Sequence, residues 1–198
     1  MIKIICALGN PGKKYINTRH NFGFAVMDRL KDRLKIIKSG RADWFEYDYT
    51  KGDSKDIILI TPSTFINRSG VAVAEALGLY SALPPELFVI ADDFNLCLGS
   101  VRIRKSGSSG GHNGLASIIE TIEDDRFPRL RAGVGPLPEG YSGHPDKISD
   151  FVLSCFAPDE MEIVNTLLDR SVAAVLEVMK NDVNLAISRY NTNNPTPE

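Results

Sequence analysis

A histidine and an asparagine lie on either side of a sharp turn near the start of the chain. Apolar residues 2–8 run into Asn10, and a helical pattern follows His20. In α/β proteins, functional side chains gather where a strand gives way to a helix. A neutral imidazole can take a proton from water, and an amide can donate to an oxyanion. The turn therefore predicts a general-base site, and the alternative is a histidine that only packs or caps.

The position of His20 leads to an expectation about its charge. Thr18 precedes it and is predicted to cap the following helix, with His20 in the first turn. The positive end of a helix dipole disfavours an imidazolium. We therefore expect His20 to be neutral at neutral pH.

A carboxylate partner for His20 is expected at Asp92. It follows the apolar run Leu87–Ala91, where a buried strand is predicted to meet a loop. The carboxyl ends of parallel strands share one sheet edge, so Asp92 and His20 can converge there. Such a carboxylate fixes the imidazole tautomer. The alternative is that Asp92 serves as a turn or cap residue, and sequence spacing does not decide between the two.

Three asparagines occupy corresponding junctions between strands, loops and helices: Asn10, Asn67 and Asn113. Amide groups can donate to a carbonyl oxygen or hold a water molecule. Each alone is an ordinary turn or cap residue, but three in such places favour a binding role. The single match to the G-x-S-x-G motif of serine hydrolases, Gly107–Gly111, lies inside a longer glycine-rich loop and not on the sharp strand-to-helix turn that a serine nucleophile needs. Direct attack by water, driven by His20, is therefore preferred over a covalent intermediate.

The cysteines indicate the compartment rather than the chemistry. Cys6, Cys97 and Cys155 are odd in number and far apart, which fits neither a disulfide framework nor a C-x-x-C metal site. A reduced, cytoplasmic protein is the simplest interpretation.

The distribution of charge points to a polyanion although the formal net charge is only −2. Residues 1–27 and 97–115 contain lysines and arginines but no acidic residue. In the second stretch Arg102, Arg104 and Lys105 alternate with apolar residues and lead into a glycine-rich loop. This pattern predicts contacts with a nucleic-acid backbone. Chance clustering of solvated charges is the alternative.

The chain of 198 residues is long enough for one domain with a substantial core. Strand and helix patterns alternate, and residues 44–49 and 56–60 suggest a hairpin around Lys51–Ser54. We predict a single α/β domain over residues 1–190, with a mixed, twisted sheet and helices on both faces. Residues 135–148 are predicted to form a long loop, and residues 191–198 a disordered tail. The sequence contains no run long enough for a membrane helix.

Five motifs in a fixed order make the pattern specific. They are Gly9-Asn10-Pro11-Gly12-x-x-Tyr15-x-x-Thr18-Arg19-His20-Asn21, Thr61-Pro62-x-Thr64-Phe65-x-Asn67-x-Ser69-Gly70, Asp92-Asp93 followed by Leu96 and Gly99, Gly110-Gly111-His112-Asn113-Gly114-Leu115, and Arg129-Leu130-Arg131-x-Gly133-Val134-Gly135. Over about residues 1–190 the chain resembles bacterial peptidyl-tRNA hydrolase. The resemblance implies hydrolysis of the ester between a peptide and the 3′ end of tRNA, which recycles tRNA released prematurely from ribosomes.

The resemblance also implies roles for individual residues. Catalysis would fall to His20 as base, to Asp92 as its support and to Asn10. Substrate and tRNA contacts would come from Tyr15, Ile66, Asn67, Asn113, Arg102, Arg104 and Arg131. The expected partner is peptidyl-tRNA, through its acceptor stem and 3′ end. No metal, cofactor, membrane or obligate protein partner is expected, and the protein is expected to be a monomer.

The sequence departs from the family pattern at a few positions. Ile66 stands where the family usually has methionine, and Asn95, Cys97 and Leu98 replace the more common residues after Asp92-Asp93. One alternative is a non-catalytic RNA-binding member of the same fold, against which the intact set of predicted site residues argues. A small nucleotide-binding protein is a further alternative, but no phosphate-loop signature is present.

Overall fold

A computed structural model describes residues 1–34, 39–40, 44–49, 57–180 and 182–192. Within these residues, seven strands form one sheet: β1 (Ile4–Ala7), β2 (Ser39–Gly40), β3 (Trp44–Tyr49), β4 (Ile57–Pro62), β5 (Leu87–Cys97), β6 (Val101–Arg104) and β7 (Arg129–Gly135). Their order across the sheet is β2-β3-β4-β1-β5-β7-β6. The four inner strands β4, β1, β5 and β7 are parallel, whereas β2, β3 and β6 pair antiparallel at the two sides. This arrangement confirms the predicted mixed sheet.

Helices cover both faces of the sheet. They are α1 (Phe22–Leu34), α2 (Ser69–Leu79), α3 (Asn113–Ile122), α4 (Pro145–Leu153), α5 (Met161–Lys180) and α6 (Val183–Tyr190). Successive strand residues point to opposite faces. Ile5 and Ile90 accordingly pack with residues of α1 and α5, whereas Ile4 and Val89 pack with residues of α2 and α3. Because the central strands are buried on both faces, their sequences read as continuous apolar runs.

Two segments next to the site differ from the sequence-based predictions. Strand β5 does not end at Ala91 but continues through Asp92 to Cys97, with an irregularity in its pairing after Asp93. The predicted loop at 135–148 gives way to helix α4, which begins at Pro145. Proline at the first helical position and Asp146 in the first turn were the overlooked signals of this helix.

The hairpin is confirmed, because β3 pairs antiparallel with β4. Its turn, Lys51–Ser54, lies outside the described residues. The helix that follows His20 ends, within the described residues, at Leu34, and Ser39-Gly40 form β2. Asn191, the first residue of the predicted tail, exchanges two hydrogen bonds with the backbone of Ile103, and residues 193–198 lie outside the described residues. Within the described residues, no helix combines the length and apolar character needed to span a bilayer.

Candidate active site

The centre of the site is the fully buried carboxylate of Asp92 on strand β5. His20 Nδ1 lies 3.0 Å from both of its oxygens. His112 Nε2 lies 3.0 Å from Oδ1. The predicted approach of Asp92 to His20 is therefore confirmed. His112 stands in one of the sequence motifs quoted above, but no role was predicted for it.

His20 occupies a 3-10 turn, Arg19–Asn21, that directly precedes α1. Thr18 stands before this turn, but its hydroxyl donates to the carbonyl oxygen of Tyr15 at 2.8 Å, so the predicted side-chain cap is wrong. Burial lowers the pKa of His20, but the charge of Asp92 and its hydrogen bond raise that pKa by more. The net shift is upward, which is opposite to the direction expected from the helix dipole. With its Nδ1 proton donated to Asp92, the ring keeps Nε2 as the position that can accept a proton.

The hydrogen bonds of His112 determine its tautomer. It is the N-cap residue of α3, and its Nδ1 accepts from the backbone N–H groups of Gly114 and Leu115 at 3.1 and 3.2 Å. Nδ1 must therefore carry a lone pair, and the single proton of the neutral ring lies on Nε2, which donates it to Asp92. His112 thus donates to the carboxylate of Asp92 through Nε2 while its Nδ1 caps helix α3.

The three residues could be mistaken for a metal site, because their ligand atoms lie within 4.8 Å of one another. A metal ion on His112 Nε2 would move the ring proton to Nδ1, which points at two N–H donors. The Nδ1 proton would then face the N–H hydrogens of Gly114 and Leu115, with no acceptor between them. The residues therefore fit a hydrogen-bonded cluster and do not fit a metal centre.

Asn10 is held in a fixed orientation by its neighbours. Its Oδ1 accepts from the N–H of Ile66 at 2.9 Å, so its amide NH₂ is left to donate to a ligand. Asn21 binds the backbone of Asn10 twice, accepting from the N–H at 2.8 Å and donating to the carbonyl oxygen at 2.9 Å. Asn21 is a second positioning residue that was missed, since an asparagine one residue before a helix usually reads as a cap.

Asn10, His20 and His112 line a pocket of about 520 Å³. One side, the polar wall, is lined by Asn10, His20, Asn67, His112 and Asn113. The other side, the α4 wall, is lined by Ile148, Ser149, Val152 and Leu153, together with Pro145 at the start of the helix. Phe65, Ile66, Phe94 and Gly111 complete the lining. No lysine, arginine, aspartate or glutamate among the described residues lines this pocket, which suits a neutral, peptide-like segment.

The remaining predicted binding residues lie outside the pocket lining. Arg102 and Arg104 are exposed on the edge strand β6. Arg131, paired opposite Arg102 in the sheet, has its Nε 2.9 Å from Asp93 and is mostly buried. Tyr15 contacts the exposed ring of Phe65 edge-on, with 6.3 Å between ring centroids, and so borders the pocket.

Comparisons with known proteins agree with this geometry. The family model described as peptidyl-tRNA hydrolase matches residues 4–198. A peptidyl-tRNA hydrolase from Sulfurihydrogenibium is 42% identical over 193 residues, covering 98% of this chain and 99% of its own. One from Persephonella marina is 40% identical over 191 residues, covering 96% and 98%. The crystal structure of peptidyl-tRNA hydrolase from Acinetobacter baumannii superposes with a TM-score of 0.88 at 29% identity, covering 98% and 97%. The chain belongs to the peptidyl-tRNA hydrolase family.

Proposed function

We propose that the protein hydrolyses the ester that joins a peptide to the 3′ end of tRNA. The observation that carries this proposal is the pairing of His20 with the buried Asp92 at a neutral pocket that Asn10 also lines. Membership of the family supports the same reaction. The alternative of a non-catalytic RNA-binding protein is not favoured, because such a protein has no use for a base–carboxylate pair.

The reaction follows from the proton positions. His20 Nε2 takes a proton from water while Asp92 accepts the hydrogen bond from Nδ1. The resulting hydroxide equivalent attacks the ester carbonyl carbon and forms a tetrahedral oxyanion. As the ester C–O bond breaks, the ribose 3′ oxygen leaves and receives the proton from His20. The products are a peptide carboxylic acid, which ionises in water, and tRNA with a free 3′ hydroxyl.

The asparagines are assigned to the oxyanion and to the peptide. The oriented NH₂ of Asn10 can donate to the developing negative charge. Asn67 and Asn113 are exposed at the pocket and can pair with peptide groups of the substrate. A site that pairs such groups rejects a substrate without them. We infer that free aminoacyl-tRNA is spared for this reason.

Attack by water is favoured over a cysteine nucleophile. Cys6 is completely buried, and burial raises the pKa of its thiol well above the ordinary value. A thiolate is the reactive form, so Cys6 is unsuited to attack an ester. None of the three cysteines lines the pocket.

The tRNA is assigned to the surface beside the pocket. Arg102 and Arg104 are exposed on β6 and can meet phosphates of the acceptor stem, and Arg131 lies opposite Arg102 on the neighbouring strand β7. Tyr15 borders the pocket, where the 3′ end must enter. We further infer that the protein acts as a monomer in the cytoplasm, where its free cysteines remain reduced.

The proposal is tested by comparing two substrates. Purified protein is mixed with N-acetylated aminoacyl-tRNA and, separately, with free aminoacyl-tRNA, and the release of tRNA is measured. We expect cleavage of the first and little cleavage of the second. Cleavage of neither would contradict the hydrolase assignment, and tight binding without cleavage would support the RNA-binding alternative.

A further inference from the structure

Arg19, the residue directly before His20, is an almost fully buried arginine with an exposed fraction of 7%. Its Nη2 donates to both carboxylate oxygens of Glu160, at 2.9 and 2.6 Å. Its Nη1 donates to the carbonyl oxygen of Val134 at 3.0 Å, near the end of β7. The Arg19 side chain thus connects the turn that carries His20 to Val134, near the end of β7, and to Glu160, directly before α5.

The guanidinium of Arg19 also lies against two aromatic rings. Its central carbon is 4.7 Å from the ring centroid of Phe151, on α4, and 4.6 Å from that of Phe156, just beyond α4. The backbone repeats the connection, because the N–H of Arg19 donates to the carbonyl oxygen of Ser154 at 3.0 Å. Thr18 and Cys155 form an isolated antiparallel bridge beside it. The carboxyl end of α4 is therefore fastened to the residues immediately before His20.

Helix α4 makes few other contacts that would fix its position. Val152 is its only buried residue out of nine. Among the secondary-structure elements, α4 packs most closely against the turn at Arg19–Asn21. An exposed helix with little buried apolar surface has low local stability, so its position depends on its anchors.

We propose that Arg19 is a positioning residue that holds the α4 wall over the substrate peptide. Its charge is offset by the two-oxygen contact with Glu160, so it acts on the substrate through the placement of α4 and not through its own field. Ile148, Val152 and Leu153 contribute apolar surface to the pocket, and that surface is useful only while the helix stays in place. This role rests on the proposed hydrolase function and names the residue that sets its peptide-binding wall.

The experiment compares Arg19→Lys with Arg29→Lys. Arg29 is a more exposed arginine that likewise forms an ion pair, bridging α1 to Asp169 on α5, and it lies outside the pocket lining. Lysine keeps the charge at position 19 but cannot make the two-oxygen contact or stack as a plane. With N-acetylaminoacyl-tRNA as substrate, we expect Arg19→Lys to raise KM by roughly ten-fold while kcat stays within about two-fold, because binding is lost equally in the ground and transition states. Arg29→Lys should match the wild type.

Two readouts separate this role from a structural one. Deuterium exchange of the α4 amides should speed up in Arg19→Lys while that of β1 and β5 stays unchanged. The acid limb of the pH–rate profile should stay in place, since the contact between His20 and Asp92 is intact. An unchanged KM with unchanged α4 exchange would overturn the proposal. A shifted acid limb would also overturn it, because Arg19 would then act on the base itself.

A second variant keeps the test decisive if Arg19→Lys does not fold. Glu160→Gln retains one acceptor oxygen for Arg19 and removes the charge, and we expect it to raise KM and α4 exchange in the same direction but less. If it changes neither, the anchor is not needed for substrate binding. Failure of the wild type to cleave the substrate would contradict the hydrolase function, whereas the exchange measurement would still report on the anchor.

Discussion

In the polar wall of the pocket, Asn10, His20 and His112 are each buried and hydrogen-bonded to other protein groups, whereas the α4 wall belongs to a helix with one buried residue out of nine. His20 and His112 are held by Asp92, which is fixed in place by the backbone pairing of β5 with β7. The α4 wall is fastened chiefly at its carboxyl end. The difference suggests that the two walls have different tasks. The polar wall holds the reacting groups rigidly, whereas the α4 wall can adjust to the side chains of different peptides.

The largest effect is expected from removing the base. In His20→Gln, kcat should fall by roughly 100- to 10,000-fold because the group that takes the proton from water is lost. Affinity for tRNA should change little, since His20 is not part of the basic strand. Turnover and tRNA binding are measured in parallel, with the exposed His144→Gln as control. Loss of binding or of fold in place of turnover would make His20 a structural residue.

The next effect is expected from Asp92→Asn. It should lower kcat by about 100-fold or more, because the carboxylate no longer fixes the tautomer of His20. The pH–rate profile adds a directional check. Asp92 raises the pKa of His20, so its neutralisation should move the acid limb of the residual activity to lower pH. The exposed Asp32→Asn, on α1, serves as control, and a limb that moves to higher pH would contradict the assignment.

His112→Asn separates the two tasks of the second histidine. Asparagine is a good N-cap, so it can replace the acceptor for Gly114 and Leu115 but cannot reach Asp92 in the same way. We expect kcat to fall roughly ten-fold, as for a group that orients a catalytic side chain. The melting temperature should change little. A large loss of stability with unchanged kcat would reduce His112 to a helix cap.

Arg104→Ala tests a region that belongs to neither wall. The Kd for tRNA should rise and the slope of log K against log salt should fall by about one, because one phosphate contact is removed. For bound substrate, kcat should stay near the wild-type value. The exposed Lys147→Ala is a suitable cation control. An unchanged salt slope would place the tRNA on another surface.

The smallest effect is expected from Ile148→Ala on the α4 wall. Its removal takes apolar surface from the pocket, and at about 0.8 kcal/mol per buried CH₂ a partly exposed side chain should cost only a few-fold in KM. Asp150→Ala, on the same helix but outside the pocket lining, is the control. A loss of kcat as large as that of Asp92→Asn would contradict the division between the two walls.

The sequence predicted those parts of the molecule that local patterns encode. Apolar runs located the inner strands, and the alternation of strands and helices indicated the mixed sheet. The junctions of strands and loops located Asn10, Asn67 and Asn113 at one pocket. The contact of His20 with Asp92 could be expected because the carboxyl ends of parallel strands share an edge.

Other parts depend on contacts that local patterns do not contain. His112 reaches Asp92 across 20 positions of the chain, and a histidine in a glycine-rich loop carries no signal of that contact. The pKa of His20 is raised because the charge and the hydrogen bond of Asp92, 72 positions away, together outweigh the effect of burial. Helix α4 was missed because an exposed helix has little apolar periodicity. The available signals were at its start, Pro145 and the acidic Asp146.

The placement of Asp92 inside β5 has a consequence for how the enzyme should fail on heating. The strand is paired with β1 as far as Ile90 and with β7 at Asp92 itself, so the carboxylate can leave its place only when this part of the sheet opens. Helix α4 can loosen well below that temperature. At saturating substrate, turnover should therefore persist almost up to the melting temperature of the whole protein. At substrate concentrations well below KM, turnover should fall at a lower temperature.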